Sequence, residues 1–114
     1  MSEHPDQHEQ HRAQIHAAIA ALGFCLPGTI STRRLRCGNP RCRCRDADHD
    51  QRHGPYYYWT RKISGKTASK LLSPEQAERY QPWLDNDKRL HALVRELEAL
   101  AIRTAQQAEG WGEK

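Results

Sequence analysis

The stretch from Cys37 to Pro55 constrains this chain more than any other. It is nearly twenty residues rich in Cys, Gly, Pro, Arg and Asp, with neither helical nor strand periodicity. A loop of that length is rare inside a compact domain unless something organises it. The means of organising it is written in the same residues. Cys37-Gly38-Asn39-Pro40-Arg41-Cys42-Arg43-Cys44 is followed by His49 and His53. Thiolate and imidazole are the favoured ligands of tetrahedral zinc, which needs four of them. Gly38 and Pro40 let the backbone turn back, so that Cys37 can meet Cys42 and Cys44 around one ion. Arg36, Arg41, Arg43 and Arg45 surround the thiols with positive charge, which favours the metal-binding thiolate. For the fourth ligand, His53 would tie both ends of the loop, because the chain re-enters regular structure there. His49, an aspartate or water are the alternatives. The expectation is one structural zinc on Cys37, Cys42, Cys44 and His53. The competing reading is three reduced, unliganded thiols. Cys25, beside Phe24 and Leu26, reads as a small apolar residue outside the cluster.

At 114 residues the chain has room for one compact domain, and its hydrophobic share of 37%, with one Phe and one Met, makes a lean core. A metal cross-link would therefore matter to stability. No apolar run approaches the roughly 20 residues of a membrane span. The polar N-terminus is unlike a signal peptide, so a cytoplasmic location with reduced thiols is expected.

Residues 1–8 read as a disordered tail, 9–109 as one zinc-binding α+β domain and 110–114 as a flexible tail. A helix is predicted from Glu9 to Leu22, with Ile15, Ala18, Ile19 and Leu22 on one face and Gly23 as its C-cap. Thr29–Arg36 and Tyr56–Ile63 read as strands, and Ser64-Gly65 as a two-residue turn into a third strand, Lys66–Leu72. Ser73-Pro74-Glu75-Gln76 is a helix start with a capping box. The following helix is expected to break near Pro82 and resume to about Gln107. Leu90, Leu93, Leu97 and Leu100 form a stripe, widened by Val94 and Ala101, which serves either the domain's own packing or a helix-mediated homodimer. The predicted fold is thus an N-terminal helix, a small three-stranded antiparallel sheet with a zinc-stapled loop, and a C-terminal helical hairpin or long helix.

Charge is unevenly spread. Eleven Arg or Lys between Arg33 and Lys70 face only Asp46, Asp48 and Asp50, a net +8, which leaves −4 for the remainder of a chain whose total is +4. A basic middle between acidic flanks points to an anionic partner, nucleic acid being the commonest. Arg33, Arg34, Arg36, Arg41, Arg43 and Arg45, with Arg61 and Lys62, are the candidate contacts, and arginine suits bidentate recognition of phosphate or guanine. Among Tyr56, Tyr57, Tyr58 and Trp59, alternation puts one pair toward the helices and leaves the other either covered or available for base stacking. Gly65-Lys66-Thr67 lacks the earlier glycine of a phosphate loop and sits in a turn, so nucleotide hydrolysis is rejected. Neither paired carboxylates nor an open metal site with a nearby base stands out. No enzyme is expected, and the metal is read as structural. His4, His8 and His11 could share a helix face, but a metal role so near a chain end is not expected.

From about Leu26 to Leu100 the chain resembles a family of short, uncharacterised bacterial proteins, a domain of unknown function. The resemblance rests on Leu26-Pro27-Gly28-Thr29, on Arg36 to Cys44, on His53-Gly54-Pro55-Tyr56-Tyr57-Tyr58, and on the Gly-Lys-Thr and leucine helix that follow. It implies that Cys37, Cys42, Cys44 and His53 act as a unit. Such proteins are often encoded near transposases, and no activity is established for them. The sequence is thus read as a zinc-stabilised nucleic-acid-binding accessory protein, with DNA the expected partner, associated with mobile elements. The alternative is a protein-interaction adaptor that dimerises or docks through its leucine helix.

Overall fold

The computed structural model describes residues 5–35 and 53–112. Five elements follow one another: α1 (Pro5–Ala20), β1 (Thr29–Leu35), β2 (His53–Ile63), β3 (Lys66–Leu72) and α2 (Pro74–Glu109). The three strands form one antiparallel sheet in the order β1-β2-β3, and the class is α+β. Two compact units divide the chain: Leu26–Leu84, and the residues up to Cys25 together with those from Asp85 onward.

In the first unit the hairpin turn sets the sheet's register. Ser64 and Gly65 both have positive φ, 50° and 81°, the pattern of a tight turn whose twist matches the strands. Ile63 therefore pairs with Lys66, and the ladder continues through Thr60↔Ser69 to Tyr57↔Leu72. On the other side β2 pairs with β1 from Thr29↔Thr60 to Arg33↔Tyr56, then steps across a bulge to Leu35↔His53. Between those last two pairs β1 contributes Arg34 alone while β2 contributes Gly54 and Pro55, so the extra residue lies on β2. The Gly54-Pro55 peptide is cis.

Leu26-Pro27-Gly28-Thr29 ties β1 into this unit. The Leu26 amide donates to the Trp83 carbonyl at 3.0 Å, and the Pro27 carbonyl accepts the Trp59 indole N–H at 2.8 Å. Gly28 lies so close to β2 that an added Cβ would sit 2.5 Å from the Thr60 carbonyl oxygen, and its φ is 108°. Only glycine meets both conditions without strain.

The capping box at α2 is complete. Gln76 N–H donates to Ser73 Oγ at 3.0 Å while Ser73 N–H donates to Gln76 Oε1 at 2.9 Å. Contrary to expectation, α2 does not break at Pro82 but runs on as one helix of 36 residues. The proline denies the Glu78 carbonyl its helical donor. Packing on both sides offsets that loss: Leu84 is 1% exposed, and Tyr80 packs edge-on against Trp83 with centroids 4.9 Å apart. Under the sheet, Leu26, Ile30, Trp59, Lys70, Leu72, Tyr80 and Leu84 line a mostly apolar cavity of about 230 Å³.

In the second unit α1 packs antiparallel on the C-terminal part of α2. Ile15, Leu93 and Leu100 form its buried centre, with Ala18, Ile19, Leu22 and Leu97 packed around them. Each fully buried leucine contributes roughly 1.5–3 kcal/mol. The leucine stripe is thus used for packing within the chain, the first of its two predicted uses, and Leu93 and Leu100 present no face to a second copy. β2 begins at His53 rather than Tyr56, and both ends of α1 also differ from expectation. α1 starts at Pro5 rather than Glu9, because Pro5 and Asp6 suit a helix's first turn and His8 is buried against Thr104. It stops at Ala20 in a tightened last turn, Leu22 N–H to Ile19 O, and Gly23 lacks the left-handed φ of a C-cap. α2 ends at Glu109, where Trp111 N–H returns to the Gln106 carbonyl at 2.9 Å.

Candidate nucleic-acid interface

Pleating sorts the central strand into two faces. Tyr57 and Trp59, in register with Thr32 and Leu72 and with Ile30 and Lys70, lie on the side of the α2 segment 74–84. The opposite face carries Tyr56, Tyr58, Thr60 and Lys62 of β2, flanked by Thr29, Ser31 and Arg33 on β1 and by Thr67, Ser69 and Leu71 on β3. Tyr56 and Tyr58 are half-buried, whereas Arg33, Lys62, Thr67, Ser69 and Leu71 are exposed. The guanidinium of Arg33 lies over the Tyr58 ring, 4.8 Å from its centroid. That of Arg61 lies over the Trp59 ring, at 4.0 Å, on the other side of the sheet. Thr60 and Ser69 share a hydroxyl hydrogen bond of 3.1 Å.

The strand residues 29–35 and 53–72 contain Arg33, Arg34, Arg61, Lys62, Lys66 and Lys70, six cations, and not one Asp or Glu. Cationic groups are therefore not neutralised from within the sheet. A guanidinium held over an aromatic ring at such a distance is stabilised by roughly 0.5–1 kcal/mol.

The predicted site residues fall out as follows. Arg33 and Lys62 share the outer face with Tyr56 and Tyr58. Arg61 belongs to the helix side, and Arg34 stands opposite the bulge. The sheet thus splits the predicted cations between two faces instead of gathering them on one. Arg36, Arg41, Arg43, Arg45, Cys37, Cys42, Cys44 and His49 lie outside the described residues. His53 opens β2, paired with Leu35. Among the described residues there is no group of three or more His, Cys, Asp or Glu arranged to hold a metal. Cys25 is a free thiol, half-buried, and donates to the Gly23 carbonyl at 3.6 Å. His8 and His11 serve helix packing. His8 Nδ1 lies 2.6 Å from Thr104 Oγ1, and since that hydroxyl donates to the Leu100 carbonyl at 2.8 Å, the histidine is the donor. His11 Nε2 meets Glu96 Oε1 at 2.9 Å. Gly65-Lys66-Thr67 is the hairpin turn and the start of β3, as predicted.

The outer face also holds a set that sequence reading left unassigned, the hydroxyls of the exposed residues Thr29, Thr67 and Ser69; the Ser31 hydroxyl on the same face is buried. The two-residue turn at Ser64-Gly65 was the signal that could have found the β3 pair, because it fixes which β3 residues stand beside Tyr58 and Thr60.

These features define a small α+β domain whose three-stranded sheet is cationic, with a hydroxyl-rich outer face bearing two tyrosines. The chain belongs to the DUF6788 family, a domain of unknown function, which it matches over residues 6–81. The match takes in α1 and the sheet and ends within α2, at the turn before Pro82. Comparison with curated proteins and with solved structures gives no match. Among the described residues no helix is long and apolar enough to cross a membrane.

Proposed function

We propose that this protein is a nucleic-acid-binding accessory protein stabilised by one zinc ion, with DNA as its partner. The observation that carries the reading is the sheet itself: six cations without a carboxylate, two of them held over aromatic rings. Phosphate contacts supply most non-specific affinity, and Arg33 and Lys62 stand where a backbone crossing the outer face would meet them. The bacterial, mobile-element setting implied by the resemblance is the biological context we propose for that activity.

The sequence pattern supports the metal: Cys37, Cys42 and Cys44 precede His53, which opens β2 as the partner of Leu35. The donors proposed, three thiols and an imidazole, would saturate zinc and leave it structural.

Fluorescence anisotropy with labelled DNA tests the binding. Log Kd should change linearly with log salt, and an Arg33→Ala, Lys62→Ala protein should lose about 0.7–0.9 of that slope per phosphate contact removed. Absence of binding at low salt, or a slope indifferent to both substitutions, would defeat the reading. The adaptor alternative is disfavoured by the burial of Leu93 and Leu100. It would be favoured instead by an Ile102→Asp protein losing self-association while the parent binds no DNA.

A further inference from the structure

We infer that the outer sheet face, on which the proposed function rests, is a platform for single-stranded nucleic acid rather than for a duplex. Tyr56 and Tyr58 are alternate residues on the central strand, so their Cα atoms are about 6.6 Å apart. Consecutive bases stacked within a duplex strand are about 3.4 Å apart. Neighbouring bases seated one on each ring would stand at about twice that separation, which only an unstacked strand can adopt. A duplex hides its base faces inside the stack, whereas a single strand offers every base's π-face to an aromatic ring. The Arg33 guanidinium lies 4.8 Å from the centroid of the Tyr58 ring, so a base seated on that ring face would take the arginine's place and free it to meet a phosphate.

The surroundings fit the same ligand. Arg33 stands opposite Tyr56 and Lys62 lies two strand positions beyond Thr60, so the aromatic pair has a cation near each end. Thr67 and Ser69 on β3 are exposed and offer hydroxyl donors along the flank, suited to phosphate and sugar oxygens. No carboxylate stands in the strands to repel a backbone. The face is a strand surface, without a helix to enter a major groove, and nothing in it depends on base identity. Binding with little sequence preference follows.

The test compares a fluorescein-labelled single-stranded oligodeoxythymidine with a duplex of equal length, using the full-length protein. The single strand should bind more tightly. Tyr56→Ala and Tyr58→Ala should each weaken it by about 5- to 150-fold, and Tyr56→Phe should leave it unchanged. Tyr56→Leu and Tyr58→Leu keep apolar cover on the sheet but lack a π-face, so they should lose affinity while melting near the parent temperature. Preference for the duplex, or tyrosine variants that bind the single strand as the parent does, would overturn the single-strand platform and leave the electrostatic reading standing. Failure of the parent to bind either probe would overturn both.

Discussion

Replacing Gly28 with alanine should destabilise the sheet unit far more than a change of one methyl group suggests. The new Cβ would lie 2.5 Å from the Thr60 carbonyl oxygen and 2.7 Å from Trp59 Nε1, so β1 and β2 must separate locally. A φ of 108° adds backbone strain of about 1–3 kcal/mol for a residue with a side chain. Separation also breaks the exposed hydrogen bond from the Trp59 indole to the Pro27 carbonyl, whose net loss costs about 0.5–1.5 kcal/mol more. The sum, roughly 1.5–4.5 kcal/mol, is a large share of the 5–15 kcal/mol typical of a domain. Gly65→Ala is the internal control: its φ is 81°, but nothing lies within 4 Å of the added Cβ, so it should cost only about 1–2 kcal/mol. Urea denaturation followed by tryptophan fluorescence and far-ultraviolet circular dichroism reads both variants. If Gly28→Ala proves no more destabilised than Gly65→Ala, the close approach of β1 and β2 does not exist as described.

Further consequences can be checked alongside. Purified protein should contain one zinc per chain by elemental analysis, and chelation should lower its melting temperature; a metal-free protein with the same melt removes the zinc from the account. Pro82→Ala should stabilise the chain by on the order of 1–3 kcal/mol in the same denaturation assay, since it restores a donor inside a continuous helix; a destabilised variant would show that the proline ring itself packs. Leu93→Ala should cost about 2–5 kcal/mol and lower helicity, a far larger loss than at exposed Ile102. The Ser31 hydroxyl is buried without a hydrogen-bond partner among the described residues, so Ser31→Ala should be neutral or mildly stabilising, and a loss above about 1 kcal/mol would refute that reading.

The parts of the fold that were legible in the sequence are those specified by local chemistry. Ser64-Gly65 determined the hairpin, Ser73 and Gln76 the start of α2, and the spacing of Leu93, Leu97 and Leu100 the face that meets α1. What sequence reading missed depends on partners distant in the chain. Pro82 looked like a break because its tertiary supports, Leu84 and the Tyr80–Trp83 pair, are not visible in a local window. The early start of α1 depends on His8 reaching Thr104, ninety-six residues away. In the candidate interface, the two tyrosine faces followed from alternation, but which face meets the helix did not. The candidate cations within the strands divide between the two faces for a simple reason: Arg33 and Arg34, like Arg61 and Lys62, are adjacent in sequence, and pleating sends adjacent side chains to opposite sides.

The pairing of Leu35 with His53 has a consequence for how this domain can vary. Leu35 and His53, which flank residues 36–52, form one rung of the ladder, so the entropic penalty of joining the two ends is met by strands already zipped together. Doubling a closed segment of this kind costs only about 0.6 kcal/mol. The thermodynamic weight of this segment therefore lies less in its length than in the cysteines proposed to hold zinc, while the sheet beneath it takes its register from its own ladder.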